Sequence, residues 1–252
     1  MFIGDYHTHT RFSDGKGTVL ENALAAKAKG LKEVAVTDHG FRILTMGFKK
    51  YLQAKALCRE AEEATGIKVI AGIEADIVSL AGDVDIREDH IAPIDYIIVG
   101  FHKFAFPKNV SSFFKMYFVT YFNGLIPTGK RARARNTKAV LSAIERYPIK
   151  VLTHLNHSLK VNVGEVAAAC AEKGVLLEIN AKHLRDFKGV WKELADSGAR
   201  FIVNSDAHRP EDVGDLQSAF EEAVRNGIAP ERIVNYLPDE PVSAGREESA
   251  CE

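Results

Sequence analysis

Seven short apolar runs punctuate the first 205 residues, and their spacing constrains the fold more than any other feature. They are FIGDY (2–6), EVAVT (33–37), KVIAGIEA (68–75), IDYIIVG (94–100), IKVLT (149–153), GVLLEIN (174–180) and RFIVNS (200–205). Each except the third is followed by a stretch of helical spacing, including 18–29, 48–65 and 136–146, while AGDVDI after the third reads as a small hairpin. Such alternation predicts an α/β chain of parallel strands covered by helices. Seven units can close into a barrel or lie open as a doubly wound sheet, and periodicity does not choose between the two.

A chain of 252 residues that is 46% hydrophobic can bury one large core. A single domain over 1–237 is therefore expected, with the Pro-, Glu- and Ser-rich segment PDEPVSAGREESACE (238–252) as a flexible tail. The formal charge of -1, from 33 Lys and Arg against 34 Asp and Glu, provides no global field to recruit nucleic acid or an anionic membrane. Cys58, Cys170 and Cys251 are too scattered for a disulfide framework or a C-x-x-C zinc site. No basic leader runs into an apolar segment, and no uncharged apolar stretch reaches about 18 residues. A cytoplasmic protein with no membrane partner is expected.

In a parallel α/β barrel, functional groups sit where strands hand over to loops at their C-terminal ends. His7 and His9 end the first run, His39 the second, Glu74 the third, His102 the fourth and His154 the fifth; Asp206 and His208 follow the seventh. The sixth ends in EIN, with no histidine before Lys182 and His183. Six of the nine histidines thus hold the same relative position in different units. A lone strand-end histidine is ordinarily a hydrogen-bonded structural residue, but so many ionisable groups in one place would be costly to bury without a metal or mutual pairing. Alternate strand residues share a face, so H-x-H and D-x-H can each chelate. Mixed imidazole and carboxylate donors suit zinc, manganese or iron.

The segments DYHTHTRFSDG, VAVTDHG, GIEAD, IIVGFHK, VLTHLNH, LLEINAKH and NSDAH resemble, in order, those of the PHP (polymerase and histidinol phosphatase) family, in particular its small stand-alone bacterial phosphatases. The likeness covers roughly 1–235. It implies a distorted seven-stranded (β/α)7 TIM-like barrel holding three divalent metal ions at the C-terminal strand ends. Carried over residue by residue, His7, His9, Glu74 and Asp206 would hold one metal, and Glu74 would bridge to a second held by His102 and His154. His39, His208 and Asp14 would hold the third. Some relatives place a histidine near Asp14, whose alternative role is to cap the turn before Gly15. His157 and His183 match no ligand position, and His90 is expected to be solvated.

The reaction this implies is hydrolysis of a small phosphomonoester by a metal-bound hydroxide, with Glu74 and Asp206 as the catalytic carboxylates and a water or carboxylate supplying the leaving-group proton. Arg11, Arg42, Lys103 and Lys182 follow strand ends and could meet a phosphate; Arg11 and Lys103 are the expected substrate-binding residues. The basic cluster GKRARAR (129–135), read as a basic turn leading into the helix from Asn136, also supports a rival reading as a nucleic-acid phosphodiesterase or exonuclease. The aromatic run with Phe113, Phe114, Tyr117, Phe118, Tyr121 and Phe122 fits packing at helical spacing better than a base-stacking platform. An amidohydrolase-like C–N hydrolase also begins with H-x-H, but on eight strands. A non-catalytic metal protein is disfavoured by the full ligand set. The expected partner is a small phosphorylated molecule, and histidinol phosphate is one by family association.

Overall fold

The computed structural model describes residues 1–41, 47–102 and 129–238. Arg42, Lys103, the aromatic run over 113–122, Cys251 and the tail beyond Pro238 lie outside the described residues. All seven expected strands are present: β1 (Gly4–Thr8), β2 (Glu33–Val36), β3 (Lys68–Asp76), β4 (Tyr96–Gly100), β5 (Val151–Leu152), β6 (Leu176–Asn180) and β7 (Phe201–Asn204). They run parallel in one sheet, each beside its neighbour in sequence. The described α-helices are α1 (Val19–Ala28), α2 (Phe48–Thr65), α3 (Glu88–Ile91), α4 (Lys130–Arg146), α5 (Val163–Lys173), α6 (Trp191–Asp196) and α7 (Gln217–Arg225).

The sheet closes on itself as a distorted barrel. Thr8 and Ala207 form a parallel bridge, His9 N donates to Ala207 O (2.8 Å), and Ala207 N donates to His7 O (3.3 Å). Below this bridge β1 and β7 meet through side chains instead of a ladder. Asn235 Nδ2 donates to Gly4 O and Val203 O, and its Oδ1 accepts from Val203 N. The buried carboxylate of Asp5 accepts from Ser205 N, Ser205 Oγ and Gly214 N. An open doubly wound sheet is excluded. β3 shows the stagger that tilts a barrel: Glu33–Val36 pairs with its first half from Lys68 to Ala71, and β4 with its second half from Gly72 to Asp76.

Alternation along the strands divides the core in two. Ile97, Val99, Leu152, Leu177, Ile179, Phe201 and Val203 face the helices, within the large outer core. Ile98, Val151 and Ile202 form a separate cluster with Tyr6, Tyr96 and Leu176 on the opposite face, which fills the barrel's interior. Two residues further along the same strands stand Gly100, Thr153, Glu178 and Asn204. The interior therefore turns from apolar to polar towards the C-terminal strand ends, which is where the site lies.

Local signals explain the flanking elements. Thr18 and Glu21 form a capping box at the start of α1. The buried Asn22 on α1 donates to His9 O (3.0 Å), tying the end of β1 to this helix. The return expected after β3 is present as an antiparallel bridge between Ile77 and Val84.

Three details differ from the sequence reading. The basic segment is not a turn before α4 but its first turns, because Ala132 is buried while Arg131, Arg133 and Arg135 stay exposed. β5 has only two residues, because the backbone turns sharply at His154, where φ is 24°. His90 is stacked on Phe48 at 3.8 Å between ring centroids instead of being simply solvated. Among the described residues, no helix is long and apolar enough to cross a membrane.

Candidate metal centre

β1 delivers His7 and His9, both fully buried, to the polar end of the barrel. His7 Nδ1 lies 2.7 Å from Glu178 Oε1, which fixes that nitrogen as the N–H and leaves Nε2 as the lone pair. His7 Nε2 is 3.3 Å from Glu74 Oε2 and 3.8 Å from Asp206 Oδ1. His9 Nε2 faces the same two oxygens at 3.5 and 3.3 Å. His7, His9 and Asp206 form one group able to hold a cation, with Glu74 Oε2 at its edge.

The other oxygen of Glu74 faces a second set. His154 Nε2 is 2.8 Å from Glu74 Oε1, and His102 Nε2 is 3.7 Å from it. Asp76 Oδ1 accepts from the His102 backbone N–H at 2.7 Å and sits 2.9 Å from its Nδ1, so Nε2 is again the end turned inward. Glu74 thus presents one oxygen to each set. His39 Nδ1 also stands 3.0 Å from Glu74 Oε2, an approach the sequence reading did not anticipate.

The third set gathers around Asp14. His39 Nε2 and His208 Nε2 are 3.5 and 3.2 Å from its two oxygens, and His9 Nδ1 is 3.9 Å away. The loop carrying Asp14 is held by Asp38, whose carboxylate accepts from Thr10 N, Thr10 Oγ1 and Ser13 Oγ at 2.6–2.7 Å. Gly15 closes the loop so tightly that a Cβ there would sit 2.4 Å from the His9 carbonyl. Only glycine fits that approach.

These groups are expensive to bury as they stand. His7 Nε2, both nitrogens of His9, His39 Nδ1 and Glu74 Oε2 are buried and find no hydrogen-bond partner among the described residues. Orphaned polar atoms cost roughly 1–3 kcal/mol each. Here they converge on shared points, the arrangement that divalent cations with N and O ligands satisfy. His154 and Asp206 both hold positive φ, at 24° and 55°, a backbone strain typical of functional sites.

The charges agree with this. Burial opposes charge on His7, but Glu178, Glu74 and Asp206 outweigh it and lift the imidazole well above its ordinary value. Burial likewise opposes charge on His39 and His102, yet Asp14 and Glu74 raise His39 to about 11, and Glu74 with Asp76 raises His102 to about 9. Burial and the charge of His39 push His9 down to about 4. Burial favours the neutral form of Glu74 and Asp206, but the surrounding histidines hold both carboxyls well below the usual range. Protons on imidazoles thus balance the carboxylates, and cations would displace those protons.

Every imidazole and carboxylate singled out as a ligand is brought to this one region. Arg11 is not: its exposed side chain donates from Nε to Lys16 O at 2.6 Å. Lys182 stands at the mouth in its stead, with Nζ 2.7 Å from His208 Nδ1 and 3.9 Å from Asp206 Oδ1. Glu178 and Asp76 were not among the expected residues, although Glu178 lies in the sixth apolar run and Asp76 in the segment GIEAD. Their signal is the i, i+2 spacing of Glu74 with Asp76 and of Glu178 with Asn180, which sends both members of a pair to one face.

Known proteins share this arrangement of chain and fold. A protein named probable phosphatase from Shewanella frigidimarina is 29% identical over 249 residues, covering 94% of this chain and 90% of its own. Another protein of that name, from a Thermoanaerobacter species, is 26% identical over 264 residues, with 97% and 98% covered. A solved histidinol phosphate phosphatase from Lactococcus lactis, in complex with zinc, L-histidinol and phosphate, superposes with a TM-score of 0.58 at 18% identity, covering 89% of this chain and 94% of that one. Residues 5–182 match the PHP domain family, a span that carries every imidazole and carboxylate of the cluster except Asp206 and His208, and the chain belongs to that family.

Proposed function

We propose that this protein is a metal-dependent phosphatase that hydrolyses a small phosphomonoester at a centre of three divalent cations, zinc, manganese or iron. The observation that carries the reading is the convergence of buried imidazoles on the two oxygens of Glu74, with His7 Nε2, both nitrogens of His9, His39 Nδ1 and Glu74 Oε2 lacking a hydrogen-bond partner among the described residues. His7, His9, Glu74 and Asp206 would hold one cation; Glu74, His102 and His154 a second; Asp14, His39 and His208 the third. Bound cations at such a site supply a water nucleophile at neutral pH and neutralise charge on phosphoryl oxygens. Membership of the PHP domain family and relatives named probable phosphatase support the hydrolytic reading.

The chain's own residues prepare the centre. Glu178 and Asp76 fix His7 and His102 with their Nε2 atoms inward. Glu74 and Asp206, held well below the usual carboxylate range, stay ionised and act as anchors of positive charge; they have no proton to give a leaving oxygen. Lys182, beside His208 and Asp206, offers a positive charge to an anionic substrate. Arg11 would join it only by releasing the carbonyl of Lys16.

The test is turnover by metal-reconstituted protein of p-nitrophenyl phosphate, bis(p-nitrophenyl) phosphate, single-stranded DNA and a p-nitroanilide. Preference for the monoester is expected. A preference for DNA that is lost with Arg131, Arg133 and Arg135 would install the exonuclease reading, and activity on the anilide alone would install the amidohydrolase reading.

A further inference from the structure

His157 and His183 take no part in the ligand sets above, yet they stand together beside the centre with Asp186. The loop after β5 turns through Asn156, where φ is 72°, and is clamped by Val161 N and Lys160 Nζ on Asn156 oxygens. After β6, a 3₁₀ helix (Ala181–Phe187) is capped by the Asn180 side chain and kinked at His183, and its end is anchored by Phe187, buried and stacked on Trp191. These two devices bring the rings of His157 and His183 to 3.8 Å between centroids. Both Nδ1 atoms turn to the same carboxylate oxygen: His157 Nδ1 lies 2.6 Å and His183 Nδ1 3.7 Å from Asp186 Oδ2.

We propose that His157, His183 and Asp186 form an additional divalent-cation site at the rim of the barrel, on its β5–β6 side. One donor atom from each lies within 4.8 Å of the others. A hydrogen bond to Asp186 would account for His157 alone; it does not account for a second imidazole aimed at the same oxygen. Two imidazoles and one carboxylate select zinc-like or manganese-like cations over calcium or magnesium, and three protein ligands leave coordination positions open. The three side chains are 34%, 26% and 24% exposed, whereas His7, His9 and His39 are at most 9% exposed, so the outer ion exchanges with solvent more readily.

The outer site also touches the inner one. His183 Nε2 is 3.6 Å from Asp206 Oδ2, and the His157 and His183 rings each lie 5.6 Å from that of His154. Resting on the phosphatase reading, an ion with open positions here would meet oxygens of a substrate held at the centre, and turnover would rise with added metal after the inner groups are full.

Metal content separates the two claims, because it needs no turnover. Equilibrium dialysis of the full chain against Zn²⁺ or Co²⁺ is expected to give about one more ion per chain than Asp186→Asn or His157→Gln, lost first to chelator. In the unsubstituted protein, the ring nitrogen NMR shifts of His157 and His183 should move with the last equivalent bound. Equal stoichiometry in parent and variants, or shifts that stay fixed at saturation, would overturn the outer site and leave the phosphatase reading untouched. Absence of phosphomonoester turnover by the unsubstituted protein with the extra ion bound would do the reverse.

Discussion

Glu178 is wholly buried with both oxygens committed: Oε1 to His7 Nδ1 and Asn204 Nδ2, Oε2 to the His154 backbone N–H and Asn180 Nδ2. Its charge makes His7 a stronger donor and fixes the tautomer that leaves Nε2 free. Glu178→Gln keeps the shape and removes the charge. Metal affinity should fall about 10–100-fold, measured by competition with a chromogenic chelator, while circular dichroism stays that of the parent. Unchanged affinity would mean that His7 does not serve a cation. The imidazoles were legible in the sequence because histidines repeated at strand ends have no cheap structural explanation. Glu178 was not, although it stood in a quoted run, because nothing in one sequence pairs it with a histidine 171 positions away. Arg11 sat in the right motif, but side-chain direction is not written in spacing, and its guanidinium bonds to its own loop.

Strands and helices were legible because each buries one face at a fixed period; their ends were less so, because the site reshapes them. β5 stops after two residues where the backbone must swing His154 inward, and Gly100 on the adjacent strand makes room for that ring. A Cβ at Gly100 would lie 2.4 Å from Thr153 Oγ1 and 2.6 Å from His154 Cε1. Gly100→Ala should therefore displace His154 from Glu74 and empty the cation position shared with His102, at an overpacking cost of about 1–3 kcal/mol. Metal analysis and urea denaturation of the same sample check both parts. Full metal content with ordinary stability would show that His154 is not needed where it stands.

At the scale of the whole molecule, seven units were legible in the periodicity and their closure into a barrel through the family resemblance, whereas the contacts that close it were not, because they span nearly the full chain. Asn235 satisfies Val203 N, Val203 O and Gly4 O between β7 and β1. Asn235→Ala leaves these buried groups unpaired and should cost about 2–4 kcal/mol, read from the denaturation midpoint; a loss under about half a kcal/mol would mean water or β1 itself closes the gap. The centre couples this fold to pH. Without cations, His39 and His102 titrate near 11 and 9 in the folded chain, against 6.5 for an ordinary imidazole. Their protonation thus stabilises the cation-free fold fully below about 6.5, and this contribution is lost as the pH climbs through 9 towards 11. Cations need the same lone pairs, so at low pH they must expel protons, whereas at high pH fewer protons stand in the way. The two dependences run in opposite directions and add in the difference between loaded and stripped protein. The gap in melting temperature between metal-loaded and chelator-treated samples should therefore widen from about pH 6 to about pH 9. A gap that stays constant or narrows over that range would mean that cations do not occupy the lone pairs of these histidines.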